Sequence, residues 1–64
     1  MTVEDKCKIT LAENGTRRLS QWLKTLADDR RNLGDDSQAE FFDSLLDEAR
    51  RANEALNLID RELA

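Results

Sequence analysis

At 64 residues, with a charged fraction of 38%, a net charge of −4 and a mean hydropathy of −0.72, the chain is a single small domain that hides only about 60% of its unfolded surface on folding. One cysteine excludes an internal disulfide, the absence of histidine excludes a zinc set of Cys and His ligands, and a pI near 4.6 works against a general affinity for nucleic acid or anionic membrane. Regular helix packing and self-association remain as the means of stabilising it.

No apolar run approaches the roughly 20 residues of a membrane span, so no membrane partner is expected. Met1-Thr-Val-Glu-Asp5 lacks the basic start and apolar stretch of a secretory signal, and the lone thiol suits a reducing cytoplasm. Proline is absent and the only glycines are Gly15 and Gly34, which divide the one helical domain, residues 1–64, into segments 1–13, 14–33 and 37–63.

The first segment reads two ways. Val3, Cys7 and Leu11 fall at helical spacing after a cap at Thr2, whereas residues 6–11 alternate polar and apolar as a strand does. Cys7 sits among apolar residues on either reading, and is expected to be a buried structural thiol with no neighbour to activate it.

In the middle segment Leu19, Trp22, Leu23, Leu26, Ala27 and Leu33 mark an amphipathic helix that starts near Asn14 or Thr16 and stops at Gly34. Its outer face carries Arg17, Arg18, Gln21, Lys24 and Thr25, with Arg30 and Arg31 toward the turn. This face would be a nucleic-acid or partner surface, or a solvated surface laced with i,i+4 pairs such as Lys24 with Asp28.

In the third segment Ser37-Gln-Ala-Glu40 has the form of a capping box, so a helix is expected from there. Phe42, Leu45, Ala49, Ala52, Leu56, Ile59 and Leu63 then recur at alternating spacings of three and four, a coiled-coil seam over three heptads. Phe41, Leu46, Ala55 and Leu58 flank it, which makes the apolar surface wider than a two-stranded zipper uses.

The turn at residues 34–36 is short enough to make the two helices antiparallel. Counting outward from it sets Leu33 near Gln38, Leu26 near Leu45, and Trp22 near Ala49 and Ala52, so Trp22 is expected in the core against two small residues. The fold expected is all-α: an antiparallel two-helix hairpin with a short N-terminal helix or strand, dimerising into a four-helix bundle. Core and dimer contacts are assigned to Phe41, Phe42, Leu45, Leu46, Leu56, Leu58, Ile59, Trp22, Leu23 and Leu26, with Phe41, Leu46, Leu58, Leu23 and Ala27 toward the second subunit.

The heptad-bearing hairpin over residues 16–63 resembles the Rop family, and the resemblance implies an antiparallel four-helix bundle that binds RNA hairpins through one bundle face. With residues 6–11 as a strand the chain is similar to ribbon-helix-helix repressors, which implies DNA contact through Lys6, Lys8 and Thr10. In general texture it also resembles the small acidic helical accessory proteins of temperate phages, which implies action through protein contacts.

Glu40, Asp43 and Asp47 stack on one helix face, but a hard cation wants six to eight oxygens from a shaped loop, and a carboxylate catalyst wants a desolvated cleft. With Asp28, Asp29, Asp35 and Asp36 they form an acidic end, which reads as a solubilising surface or as a mimic of nucleic-acid phosphates. Without histidine or tyrosine no catalytic, cofactor or metal residues are expected, and the chain is read as not an enzyme. The leading expectation is a homodimeric interaction or regulatory protein with a protein partner. The alternative is a nucleic-acid binder acting through Arg17, Arg18, Gln21 and Lys24 or through an N-terminal strand pair.

Overall fold

Thr2 opens the first helix. In the computed structural model, which describes residues 2–63 apart from the side chain of Leu63, the Thr2 hydroxyl accepts from the Asp5 amide at 3.1 Å. Glu4 and Asp5 place negative charge in the first turn, where the helix dipole favours it. From this cap α1 runs unbroken from Val3 to Asn32.

The expected boundary at Gly15 is therefore absent, and so is a separate N-terminal element. The first long helix begins at residue 3 rather than 14, and no strand occurs among the described residues. A strand over residues 6–11 would have no neighbour to pair with, and one glycine costs a helix only about 1 kcal/mol, which the capped first turn and the packing on both sides of Gly15 outweigh.

The end of α1 falls where Gly34 was expected to place it. Gly34 takes φ 81°, its amide donates to the Arg31 carbonyl at 3.1 Å, and the Asp35 amide donates to the Arg30 carbonyl at 2.9 Å. This is a Schellman closure, which needs a left-handed residue at that one position. Helix α2 then spans Asp36–Leu63. Its cap is Asp35, whose carboxylate accepts from the Gln38 amide at 3.1 Å, and not Ser37 as the capping box suggested. The turn closes so tightly that the helix resumes at Asp36, one residue before that serine.

The two helices pack antiparallel along a body 48 Å long. Leu23, Ala27, Ala39, Leu46 and Ala49 are buried, and Phe42 and Leu45 pack against the cluster of Leu23, Leu46 and Ala49. The inward positions are Ile9, Glu13, Thr16, Ser20, Leu23, Ala27 and Arg30 on α1, and Ala39, Phe42, Leu46, Ala49, Asn53, Leu56 and Asp60 on α2, all buried or half-buried. Each set has alternating spacings of three and four, so each helix presents a true heptad seam to the other.

This seam is not the expected one. The axial register agrees with the count from the turn, but α1 is rotated by about one residue and α2 by about half of one. Leu23 takes the place next to Ala49 that was assigned to Trp22, and Trp22 is 60% exposed. Leu23, Ala27 and Leu46, expected to meet a second subunit, instead form the core of the hairpin itself. Three of the five buried residues are alanines, small enough to let the helix axes approach closely. Burying Leu23 and Leu46 contributes about 2 kcal/mol each, a slender core for a chain of this size.

Toward the chain ends the inner seam turns polar. Asn53 donates to the Thr16 hydroxyl at 2.8 Å and to the Glu13 carbonyl at 3.0 Å, while Asn57 donates to the Asn53 side-chain oxygen at 3.3 Å. These bonds fix Thr16 level with Asn53.

Candidate functional site

One residue before each inward position lies a second row. On α1 it reads Lys8, Ala12, Gly15, Leu19, Trp22, Leu26 and Asp29; on α2 it reads Gln38, Phe41, Leu45, Glu48, Ala52, Ala55 and Ile59. A step back along a helix is a turn of about 100°, and because the helices are antiparallel this step carries both rows to the same side of the hairpin. That side is mostly apolar and open: Leu19 is 43% exposed, Trp22 60%, Phe41 57% and Ile59 42%. The rings of Phe41 and Phe42 meet edge to face, with centroids 5.5 Å apart.

One residue after each inward position lies the opposite flank, and it is polar throughout. Thr10, Asn14, Arg17, Gln21, Lys24, Asp28 and Arg31 on α1 face the same way as Glu40, Asp43, Asp47, Arg50, Glu54, Asn57 and Arg61 on α2. Arg31 bridges the helices here, donating to Asp43 at 2.6 Å and to Asp28 at 3.4 Å. Arg17, Ser20, Arg50, Asn53 and Glu54 line a shallow groove on this flank.

The residues assigned to a nucleic-acid or partner face separate accordingly. Arg17, Gln21 and Lys24 share the polar flank, Arg18 points to the outer side of α1, and all four are exposed. Among the described residues Arg17, Arg18 and Lys24 have no ion-pair partner. The expected bridge from Lys24 to Asp28 is not made, because Asp28 is taken by Arg31. Of the contacts assigned to a core or dimer interface, Leu23 and Leu46 are inside, Phe42, Leu45, Leu26 and Leu56 are half-buried, and Trp22, Phe41 and Ile59 are on the open flank. Leu58, 54% exposed, lies about 200° round from Leu56 and belongs to neither seam.

Cys7 is exposed and not a buried thiol. Continuation of α1 turns Val3, Cys7 and Leu11 outward, where with Lys6 and Thr10 they line a shallow depression on one helix. No group of three or more metal-ligating side chains occurs among the described residues. No helix there is long and apolar enough to cross a membrane.

Gly15 and Trp22 were not paired by the sequence reading, although both belong to the open row. A Cβ at Gly15 would meet nothing within 4 Å, so the hairpin itself gives no packing reason for a residue that weakens its helix. The signal was the seven-residue spacing, two turns, between the smallest side chain and the largest.

Comparison with known proteins returns no match, whether to a family model, to a curated protein or to a solved structure.

Proposed function

We propose that the chain is a non-enzymatic interaction protein that works as a homodimeric four-helix bundle and engages a protein partner through its outer charged surfaces. The observation that carries this reading is the mostly apolar flank, interrupted on α2 by Glu48, on which Leu19, Trp22, Leu26, Phe41, Leu45, Ala52 and Ile59 lie together. A hairpin with so few buried residues gains stability by covering such a face. The flank runs along a hairpin 48 Å long, and a stable protein interface covers roughly 800 Å² per partner. Once it is covered, the surfaces left for a partner are the polar flank and the outer sides of the helices.

Light scattering after size exclusion, over a concentration series with far-UV circular dichroism on the same samples, tests the reading. A helical dimer that persists on dilution is expected. A fully helical monomer at every concentration rejects it.

A second reading, nucleic-acid binding, draws on the unpaired Arg17, Arg18 and Lys24 and on the groove between Arg17 and Arg50. It is the weaker one, because the polar flank carries charges of both signs and the chain is net acidic. Binding to DNA or RNA that falls with salt, and is lost when Arg17→Ala is combined with Arg18→Ala, would put it first.

A further inference from the structure

We infer that in the dimer each Trp22 seats over Gly15 of a second copy, about a dyad perpendicular to the helices that puts the two interhelix turns at opposite ends. The inference rests on the dimeric reading above and adds the arrangement. Two features the single hairpin leaves without a reason are accounted for together: an indole in solvent, and a mid-helix glycine with open space where a side chain would be. They lie on the same open row of the same helix, two turns apart.

Pairing the α1 rows of two copies head to tail with Gly15 against Trp22 also sets Ala12 against Leu26, Leu19 against Leu19, and Lys8 against Asp29. Large meets small in two layers, and opposite charges meet in a third, where Lys8 already bridges Glu4 at 3.4 Å. The dyad for this pairing crosses α1 between Arg18 and Leu19. Because Asn53 bonds Thr16 across the hairpin, that point is level with residues 50 and 51 of α2.

The α2 rows are compatible with the same axis. Phe41 pairs with Ile59, Leu45 with Ala55 and Glu48 with Ala52 about a midpoint at residue 50, which brings the Glu48 carboxylates of the two copies near the dyad. The two estimates agree to within about one residue, or ~1.5 Å along the axis, so one rotation satisfies both helices. An isologous contact requires this.

The other dyad, parallel to the helices with both turns at one end, sets α1 against α2 of the second copy. It places Gly15 on Ala55, Trp22 on Glu48 and Asp29 on Phe41. That leaves a void in one layer and buries a carboxylate against an aromatic face in two others.

The test is a swap, read by light scattering and by concentration-dependent unfolding. Gly15→Trp alone and Trp22→Gly alone are each expected to raise the dimer Kd at least about tenfold, and the double variant, which exchanges the two residues, to recover most of that loss. A wild-type chain that stays monomeric overturns both this inference and the dimeric reading. A dimeric wild type whose double variant is no tighter than the weaker single variant overturns the arrangement alone.

A second measurement does not depend on the swapped chains folding. In a Cys7→Ser background, Leu19→Cys should oxidise to a covalent dimer while Lys24→Cys on the polar flank should not. A Leu19→Cys chain that does not cross-link in a dimeric sample overturns the arrangement.

Discussion

Asn53 of α2 reaches across the hairpin to donate to the hydroxyl of Thr16, 2.8 Å away, in the half of the inner seam where apolar residues give way to polar ones. Because the same amide also donates to the Glu13 carbonyl at 3.0 Å, only one axial alignment satisfies it. In coiled coils a polar residue at a seam position selects register at some loss of stability. Asn53→Ala is therefore expected to lower stability by about 1 kcal/mol, measured by urea denaturation. Asn53→Leu should hold or raise the midpoint while broadening the amide NMR spectrum, and a spectrum as sharp as that of the native chain would remove the register role.

At the other end of the hairpin the alignment is set by Gly34. Its φ of 81° is reached by glycine without strain, and the closure it allows satisfies the last carbonyls of α1. Gly34→Ala should destabilise by about 1 kcal/mol and Gly34→Asn by less. Equal midpoints for native and Gly34→Ala chains in chemical denaturation would contradict the account.

How much of this was legible in the sequence follows from the width of the apolar surface. Two adjacent heptad rows run along α2, one through Phe42, Ala49 and Leu56 and the other through Leu45, Ala52 and Ile59. The seam read from periodicity took members alternately from both. Spacing gives the period and the turn gives the axial register, but neither says which row faces the partner helix and which stays open. That choice was made by Ala27, Ala39 and Ala49, which allow close approach, and by Asn53 with Thr16, whose bonds are invisible to a hydrophobic pattern. Gly15 misled for a related reason: in isolation it looks like a helix end, and its place within a row is apparent only once α1 is known to continue through it. The open flank was partly legible, because residues on either side of the seam already required a second neighbour.

The division into rows separates folding from assembly. Leu46 is 6% exposed inside the hairpin, so Leu46→Glu buries a charge and is expected to cost several kcal/mol, enough to abolish most helical signal. Ile59→Glu with Phe41→Glu alters the open flank and, inside the hairpin, loses only the edge contact of Phe41 with Phe42. That variant should keep much of its helix at high concentration yet elute as a monomer. A dimer of unchanged affinity from this chain would take the open flank out of assembly.

The outward position of Cys7 has a direct consequence. An exposed thiol should react with an aromatic disulfide reagent in native buffer at a rate close to that in denaturant, with no loss of helix. Protection by more than about tenfold would mean the N-terminal turns of α1 are covered in solution.

Gly15→Ala sets two of these effects against each other within one chain. In a dilute, monomeric hairpin the added methyl meets open space, and replacing glycine in a helix interior should raise stability by up to about 1 kcal/mol. In the dimer the same methyl would occupy the place of the second copy's indole, and overpacking a close contact costs about 1–3 kcal/mol. The sign of the substitution should therefore reverse with concentration: stabilising where light scattering reports monomer, destabilising where it reports dimer. Thermal unfolding by circular dichroism across the concentration series would show the two melting curves crossing. If Gly15→Ala is stabilising at every concentration, Gly15 is merely a tolerated weak point of α1, and Trp22 must be covered by something other than the same helix of a second copy.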